Sequence, residues 1–532
     1  MSEITRVVVP ATTIIMAALL LIMPAGVSAE PATERYIVSF QPGVRMEASG
    51  GVALRVERRL PLHHAIAARL TPDEAARISR DPGVVRVEPD PRRYPVSAMR
   101  ARPSGQDLRP AGTTGSTQIV PYGIHAVRAA GLPGFPAAGI KTCVIDSGYD
   151  LGHEDLPLKP TVNGESDPLG AGLWTQDPSG HGTHVAGTIS ARNNAVGVLG
   201  VFPRAPIHVV KVFDGNDQWA YSSDLIHALD RCMAAGARVI NMSLGGSEAS
   251  AAEQIAFRNA RTAGVIAIAA AGNDGSAMLS YPASYPSVIS VAAVDENLQR
   301  ADFSNYNTRV LLAAPGVSVL STVPRGSTLK AELTTGLGTQ EVIPMDNFPT
   351  PTDPVSGRLV DCGLAGKAAD CVGGATGAIC LIERGEFFFN EKAQACEAAG
   401  GVGAIVYNRA DEAGPVYGTL GDTQVGIPIV GTDRGTGLSL KQFWLGTDAT
   451  LAFRNWAYDY FSGTSMATPH VAGVTALVWS RHPKCSSETV RLALLATAQD
   501  LGIPGRDPDY GAGLVRARQA NAWLARQPCS AL

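Results

Sequence analysis

The run Val144-Ile145-Asp146-Ser147-Gly148 is a short apolar segment that ends at an aspartate and a glycine. Continuous apolar runs of this length are typical of strands buried on both faces of a parallel sheet. Similar runs follow, separated by alanine-rich amphipathic stretches, at 208–212, 239–242, 265–269 and 288–294. This alternation predicts an α/β fold with a mostly parallel central sheet and helices on both faces. Asp146 would then lie at the carboxyl edge of the sheet, where catalytic groups gather.

The composition limits the class of protein. The chain has 532 residues, of which 45% are hydrophobic and 17% charged. Because single cores stop growing near roughly 250–300 residues, at least two units are expected. The 57 glycines and 36 prolines follow no repeat, which excludes collagen. A net charge of −4 provides no basic field for nucleic acid or acidic lipid.

The N-terminus has the pattern of an export signal. Arg6 precedes an apolar run over 7–23, and Val27-Ser28-Ala29 places small residues before Glu30. These features predict a signal peptide over 1–29 and a secreted, extracellular protein. The alternative is an uncleaved N-terminal anchor. No later stretch is apolar enough to cross a bilayer, so we expect no membrane contact after processing.

Two segments follow the signal. Residues 30–90 contain strand patterns at 36–40, 64–70 and 84–88, with a capped helix start at Thr71. Residues 91–116 are rich in Arg, Pro, Gly and Thr without periodicity. We predict a small α+β unit and an exposed linker that is open to processing.

The rest of the chain changes pattern twice. The buried-strand pattern occupies 117–324 and returns in 456–532, where 465–480 and 488–499 are predicted helices. Between them, 325–455 has more Gly and Thr, with strand patterns at 378–383, 404–407 and 427–430. Since one architecture flanks this segment on both sides, we predict an inserted β-rich domain.

Two further motifs accompany Asp146. Ser179-Gly180-His181-Gly182-Thr183-His184 places a histidine between glycines at a helix start. Gly463-Thr464-Ser465-Met466-Ala467 places a serine at a helix N-terminus, where N–H groups favour developing negative charge. Each motif alone also fits a structural function: a loop aspartate, a buried histidine or a helix-capping serine.

The order Asp146, His181, Ser465 with these neighbours resembles the subtilisin-like serine peptidase family, over 118–324 and 458–520. The resemblance implies a nucleophilic Ser465, a general base at His181 and an orienting Asp146. Ala270-Ala271-Gly272-Asn273 matches the family's oxyanion segment, with Asn273 as donor rather than a simple turn residue. His184 and His470 are alternative bases that the family pattern assigns to packing.

This resemblance implies a secreted endopeptidase that acts through a Ser465 acyl-enzyme. The alternative of another class is a catalytically inactive binding protein on the same fold. A lipase or esterase is excluded because Ser465 lacks a Gly-x-Ser-x-Gly motif and the chain order differs. We expect a monomer that acts on protein or peptide substrates.

The substrate site implied by the resemblance is a strand and a pocket. The strand residues are Ser243, Leu244, Gly245 and Gly246, and the pocket residues are Ala270, Gly272, Ser280 and Ala283. Main-chain pairing gives affinity with little sequence choice. The small, uncharged walls predict broad specificity with a preference for a large apolar P1 residue, the residue before the scissile bond.

A structural Ca²⁺ site is also implied. The segment 193–200 resembles the family's calcium loop, and the matching ligand positions are Gln118, Asp155, Arg192, Asn194, Val196 and Val198. Carboxylate, amide and carbonyl oxygens suit Ca²⁺ rather than zinc. The alternative is a loop closed by hydrogen bonds alone. The match of Gln118 suggests that the family-like mature segment begins near Thr117, although the cut could lie anywhere from Pro91 onward.

Two accessory domains carry weaker resemblances. Residues 30–90 resemble the inhibitory propeptide of subtilisin-like zymogens, with Asp90 expected to lie across the active site. Residues 325–455 resemble a protease-associated domain, which steers access without chemistry of its own.

The eight cysteines leave some pairings open. The four cysteines of the insertion allow three connectivities, of which proximity favours Cys362–Cys371 and Cys380–Cys396. Cys485 and Cys529 could clamp the C-terminal tail. Cys143 and Cys232 could form a pair or remain free core thiols.

Overall fold

The structure is a computed structural model that describes residues 32–46, 48–49, 51–96, 99–101, 118–135, 139–166, 171–214, 219–371, 373–412, 414–527 and 529. The predicted signal peptide, 1–29, lies outside these residues. Within these ranges, no helix has the length and apolar character needed to span a membrane.

The N-terminal unit is an antiparallel four-stranded sheet with one helix. Its elements are β1 (Glu34–Phe40), β2 (Ala48–Ser49), β3 (Val52–Ala53), β4 (Arg55–Leu60), β5 (Ala65–Leu70), α1 (Pro72–Ile78) and β6 (Val84–Pro89), and the sheet order is β4-β5-β1-β6. Helix α1 begins where the sequence predicts: Thr71 Oγ1 accepts from Glu74 N at 3.2 Å, and the Glu74 carboxylate accepts from Thr71 N at 2.8 Å. The sequence did not predict β4, because four of its six residues are charged and the strand lacks a clear apolar alternation.

The segment after this unit forms β7 (Arg92–Pro95) and β8 (Met99–Arg100), each paired antiparallel with the catalytic unit. The prediction of an exposed linker over 91–116 is therefore wrong for these residues, and Arg93 is fully buried. The physical reason is that main-chain pairing needs no apolar periodicity, so the sequence carries no strand signal here.

The catalytic unit is built on a seven-stranded parallel sheet, in the order β10-β11-β9-β13-β15-β16-β17. Its elements up to the insertion are α2 (Tyr122–Ala126), β9 (Lys141–Asp146), β10 (Val162–Ser166), α3 (His181–Ser190), β11 (Ile207–Lys211), β12 (Ala220–Tyr221), α4 (Ser222–Ala234), β13 (Ala237–Met242), β14 (Leu244–Gly245), α5 (Ala251–Thr262), β15 (Ile266–Ala270), β16 (Val288–Val294), β17 (Val310–Pro315) and β18 (Val319–Thr322). The predicted α/β sheet is confirmed, and all five predicted runs are strands. Strands β10 and β17, one at each sheet edge, were not predicted.

The inserted segment is a closed seven-stranded barrel with two helices. Its elements are β19 (Thr328–Thr335), β20 (Gly338–Pro344), β21 (Val355–Asp361), β22 (Ala378–Glu383), α6 (Phe389–Ala398), β23 (Gly403–Tyr407), β24 (Ile429–Thr432), α7 (Arg434–Phe443) and β25 (Asp448–Trp456). Buried apolar residues such as Leu333, Ile405 and Leu451 form one of its clusters. A β-rich inserted domain is confirmed.

The chain then returns to the catalytic unit through β26 (Tyr458–Ser462), α8 (Thr464–Arg481), α9 (Ser487–Ala496) and α10 (Ala517–Leu524). Helix α8 is buried along its length except at Arg481. With α3 it packs on one face of the sheet, whereas α4 and α5 cover the other. A helix that is apolar all round belongs in a core, so α8 holds Ser465 on a rigid element.

Four disulfides are formed, and no described cysteine is free. The favoured pairs Cys362–Cys371 and Cys380–Cys396 are confirmed, as is the Cys485–Cys529 clamp. Cys143 on β9 is bonded to Cys232 on α4, which settles the alternative in favour of a pair.

Candidate active site

Asp146 and His181 meet at the carboxyl edge of the sheet. Asp146 is the last residue of β9, and His181 is the first residue of α3. His181 Nδ1 lies 2.7 Å from Asp146 Oδ1, and both side chains are buried. A buried carboxylate at this nitrogen selects the imidazole tautomer and stabilises the imidazolium form.

A second carboxylate orients this pair. Ser147 N donates to Asp146 Oδ1 at 2.8 Å, and Ser147 Oγ lies 2.7 Å from Asp177 Oδ1. Asp177 Oδ2 accepts from Thr183 N at 2.7 Å, which ties the loop to the first turn of α3. Sequence reasoning missed Asp177, although an acid four residues before His181, followed by Pro-Ser-Gly, was the available signal.

Ser465 lies in the first turn of α8, beside the main chain of residue 96. Its Oγ donates to Val96 O at 2.6 Å and lies 3.3 Å from Ser243 O. A helix N-terminus favours negative charge, so this position suits the stabilisation of an oxyanion formed by attack of Ser465 on a carbonyl group. The arrangement can therefore support acyl transfer.

Asn273 is held in place by Thr464. Asn273 Oδ1 accepts from Thr464 N at 2.9 Å and from Thr464 Oγ1 at 2.8 Å. Because Oδ1 accepts both bonds, the side-chain N–H donors lie on the opposite side of the amide group. Thr464 is a further residue that the sequence analysis did not single out.

Strand β7 lies in the cleft between β12 and β14. Pro95 pairs with Leu244 and Tyr94 with Gly245, and Val96 N donates to Ser243 O at 3.2 Å. A Cβ at Gly246 would come within 2.4 Å of Arg92 O, so glycine is needed for this close approach. The four predicted strand residues, Ser243, Leu244, Gly245 and Gly246, therefore lie along a bound peptide segment. Strand β12 on the other side was not predicted.

The bound segment continues past Ser465. Met99 pairs with Ser462 and Arg100 with Phe461, so the chain enters the cleft as β7 and leaves as β8. The expectation that Asp90 lies across the active site is wrong. Asp90 is buried at the start of α4, where its Oδ1 accepts from Ser223 N at 2.9 Å, because a helix start attracts a carboxylate.

The predicted pocket residues lie on two sides of this segment. Ala270 ends β15, and Gly272 N donates to Thr464 Oγ1 at 3.2 Å. Ser280 is so close to Gly245 that a Cβ there would meet its Oγ at 2.3 Å. Ala283 is buried in the same apolar cluster as Leu244.

The two other motif histidines are enclosed in the core. His184 Nε2 lies 2.9 Å from Val319 O, and burial lowers the pKa of His184 to about 3. His470 Nδ1 lies 2.8 Å from Met466 O, and burial lowers the pKa of His470 to about 4. Both are therefore neutral at ordinary pH, which fits the packing function expected of them.

The six predicted calcium ligands converge on one another. The Gln118 amide nitrogen lies 2.6 Å from Arg192 O, 3.1 Å from both Val196 O and Val198 O, and 3.4 Å from Asn194 Oδ1. Four acceptors surround a group that has only two hydrogens. Asp155 is buried, which raises its pKa to about 7. Its Oδ1 has no hydrogen-bond partner within the described ranges of the chain.

Three protein-family models match successive parts of this chain. The Subtilase family matches residues 137–343 and 441–513, the PA domain matches 355–440, and Peptidase inhibitor I9 matches 59–95. Subtilisin E from Bacillus subtilis (strain 168) is 36% identical over 325 residues, which are 57% of this chain and 77% of the relative. Subtilisin from Bacillus pumilus is 42% identical over 219 residues, 40% of this chain and 77% of the relative.

Solved structures agree with this assignment. The psychrophilic subtilisin-like protease Apa1 from the Antarctic psychrotroph Pseudoalteromonas sp. AS-11 is 41% identical, with a TM-score of 0.57 over 78% of this chain and 100% of its own. Fervidolysin from Fervidobacterium pennivorans, 22% identical with a TM-score of 0.57 over 93% of this chain and 62% of its own, shares the fold. The family match over more than half of the chain, the parallel sheet and the two accessory domains lead to one conclusion: this chain belongs to the Subtilase family and is a subtilisin-like serine endopeptidase with an I9 propeptide and an inserted PA domain.

Proposed function

We propose that the chain is the precursor of a secreted endopeptidase that hydrolyses peptide bonds through an acyl-enzyme on Ser465. The observation that carries the proposal is the 2.6 Å hydrogen bond from Ser465 Oγ to the carbonyl oxygen of Val96, on a segment held by antiparallel pairing. This bond holds the hydroxyl next to one carbonyl group of a peptide in fixed register, which places the nucleophile beside the bond that it would attack.

The proposed roles follow the mechanism of the family, and the Asp146–His181 pair supports them. Ser465 Oγ attacks the carbonyl carbon while His181 accepts its proton, and Asp146 orients the imidazole and stabilises its charge. The oxyanion receives hydrogen bonds from Ser465 N–H and the Asn273 side chain. The protonated His181 then donates to the leaving amine, and water hydrolyses the ester by the same steps.

The first substrate of this site is the chain itself. We assign the processing cut to the peptide bond between Val96 and Ser97, since Val96 O faces the nucleophile. The propeptide then comprises residues 30–96 and remains an inhibitor until it leaves. We retain a catalytic unit over 117–324 and 456–532, with the inserted domain at 325–455 and further trimming within 97–116.

The P1 residue of this first substrate is apolar. Val96 is 9% exposed, and its N–H donates to Ser243 O at 3.2 Å, so this apolar residue is enclosed in the cleft. We propose broad specificity with a preference for large apolar P1 residues. A peptide panel that shows cleavage mainly after Arg or Lys would overturn this preference.

We also propose a structural Ca²⁺ bound by Gln118, Asp155, Arg192, Asn194, Val196 and Val198. Turning the Gln118 amide by half a rotation would put its oxygen in place of its nitrogen, so that each of the six residues offers an oxygen, and the Asp155 carboxylate supplies charge. The ion would stabilise the loop without taking part in the reaction. A calcium chelator should lower the Tm of the processed enzyme, and added Ca²⁺ should restore it; an unchanged Tm would contradict the site.

Secretion and a monomeric state complete the proposal. The apolar run and small residues of 1–29 support export, and the four disulfides suit an oxidising compartment. Proteins and peptides would be the partners, with no nucleic acid or membrane bound after processing.

The decisive experiment compares the wild-type chain with Ser465→Ala. The wild type should yield a mature chain that begins at Ser97 or beyond, hydrolyse casein and react with a serine-directed acylating probe. Ser465→Ala should remain full length and lose about 10⁶-fold in turnover, a size already known for removal of the nucleophile in subtilisin. Equal casein turnover, or no labelling of the wild type, would favour an inactive binding protein instead.

A further inference from the structure

The bound segment fills a second pocket with an arginine. Counting back from Val96, Arg93 is the fourth residue before the proposed scissile bond, the P4 position. Its side chain is fully buried, as is that of Glu253 on α5. Arg93 Nε donates to Glu253 Oε1 at 3.0 Å, and Arg93 Nη2 donates to Glu253 Oε2 at 2.5 Å. This is a bidentate guanidinium–carboxylate pair inside the substrate cleft.

Contacts within the catalytic unit hold the Glu253 carboxylate in position. Glu253 is the third residue of α5, and its N–H donates to Ser250 Oγ at 3.2 Å. The Tyr285 hydroxyl lies 2.7 Å from Glu253 Oε2. Glu253 also lies in the first turn of α5, where the helix dipole attracts an acidic side chain. These contacts belong to the enzyme, so they remain when the propeptide has left.

Arg93, in contrast, belongs to the part that leaves. Among the residues that the structure describes, it is the one cation within 4.0 Å of Glu253. Departure of β7 therefore removes the counter-charge from a carboxylate that is fully buried in the precursor. A buried charge that has lost its partner is unfavourable, and a fork of N–H donors in the same place restores two charge-assisted hydrogen bonds.

The geometry points to Glu253 as a specificity-determining residue: it selects substrates that carry arginine at P4. This assignment rests on the proposed endopeptidase function and names its substrate class. Lysine offers one point charge instead of a fork and binds less well, and apolar side chains leave the carboxylate desolvated without a counter-charge. The enzyme would thus combine a pocket for an apolar P1 side chain with an acidic pocket for a cationic P4 side chain.

The neighbouring arginine provides an internal control. Arg92, at P5, is exposed, and its guanidinium lies 4.0 Å from the centre of the Trp219 ring. An exposed cation–π contact contributes little, so charge at P5 should matter much less than charge at P4. Comparing substitutions at P4 and P5 therefore distinguishes the ion pair with Glu253 from a general attraction of the cleft for positive charge.

The test uses processed wild-type enzyme and the peptide Pro-Arg-Arg-Tyr-Pro-Val with a fluorogenic amine leaving group, which reproduces residues 91–96. Replacing the P4 arginine by alanine should lower kcat/KM about 100-fold, the size expected for loss of one partner of a buried charge pair. Replacing the P5 arginine should lower it no more than about fivefold. If the peptides with arginine and alanine at P4 are cleaved equally well, while the serine-directed probe labels the enzyme normally, the role of Glu253 is overturned and the endopeptidase function is not. Failure of labelling would overturn the proposed function and this assignment with it.

An enzyme variant tests the pocket from the other side. Glu253→Gln keeps the shape but not the charge, and should reduce the preference for arginine over alanine at P4 to about threefold or less. Glu248→Gln, which removes a charge from an exposed acid nearby, should keep the wild-type preference. A Glu253→Gln enzyme with an undiminished preference would contradict the assignment. If this variant does not mature, the peptide series on the wild type decides.

Discussion

The propeptide body, residues 34–90, and the cleft segment β7 hold the same enzyme by different contacts. The body places carboxylates on two helix starts: Glu88 accepts from Ala251 N and Ala252 N of α5 at 3.0 and 2.7 Å, and Asp90 accepts from Ser223 N of α4 at 2.9 Å. Strand β7 instead pairs main chain with main chain. Main-chain pairing accepts many sequences, whereas the body contacts depend on particular side chains.

In the proposed function, inhibition and cleavage therefore have separate determinants in one precursor. The body can hold the inhibitor in place whatever happens at the scissile bond. The cleft segment can be cut and replaced by another peptide, provided that its backbone and its P4 side chain fit. Substitutions confined to one region should therefore leave the function of the other intact.

Asn273→Ala should produce the largest of these separable effects, and only on the cleft. Loss of this oxyanion donor is expected to slow self-processing and peptide hydrolysis by about 10²–10³-fold, a size known for subtilisin itself. The rate of appearance of the mature chain on gels measures it. Because the body contacts lie elsewhere, binding of the propeptide body should be unchanged, whereas loss of the two hydrogen bonds from Thr464 should lower the Tm of the precursor. A processing rate within twofold of wild type would contradict the role of Asn273.

Asp90→Ala should produce an intermediate effect, and only on the body. In the unprocessed Ser465→Ala background, it removes the cap of α4 and one partner of Arg35, whose Nε lies 2.9 Å from Asp90 Oδ2. Arg35 keeps Asp224 at 2.9 Å, so the free energy of unfolding should fall by about 2 kcal/mol, close to the loss of a strong cap.

Denaturant unfolding of the full chain measures this change. Asp73→Ala, at an exposed acid on α1, is the matched control and should cost less than about 0.5 kcal/mol. Equal effects of the two substitutions would show that the body contact with α4 carries no special stability.

Arg92→Ala should produce the smallest effect. It removes the exposed contact with Trp219 from the cleft segment and leaves the Arg93–Glu253 pair in place. Exposed cation–π contacts contribute about 0.5–1 kcal/mol, so self-processing should slow by no more than about fivefold. A time course of precursor conversion checks this, and a loss comparable with that of Asn273→Ala would show that P5 is a principal contact.

Much of the fold and of the candidate site could be predicted because the signals are local. Five of the seven sheet strands are continuous apolar runs, and β22 has the predicted bounds, Ala378–Glu383. The residues proposed for catalysis stand at a strand end or a helix start, so each motif also encodes its own position. The edge strand β10 escaped prediction because only its first residue is apolar, whereas β17 carries an apolar run like the others and was missed.

The remaining features depend on partners that are distant in sequence. Glu253 and Arg93 are 160 residues apart, and neither stands in a recognisable motif. Asp177 acts through Ser147 and Thr183, which only the folded loop brings to it. Strand β7 pairs through its backbone and therefore carries no side-chain pattern.

Local sequence patterns were enough to predict the class of sheet, the candidate nucleophile, base and acid, and the presence of an inserted domain. Periodicity and short motifs are properties of neighbouring residues, so they survive without a structure. The tertiary structure was needed to show which carbonyl group contacts Ser465 and that Cys143 is bonded to Cys232. It was also needed to show that a buried glutamate pairs with the arginine at the proposed P4 position. Register, burial and charge pairing arise only when two distant segments meet, because each depends on the distance between them.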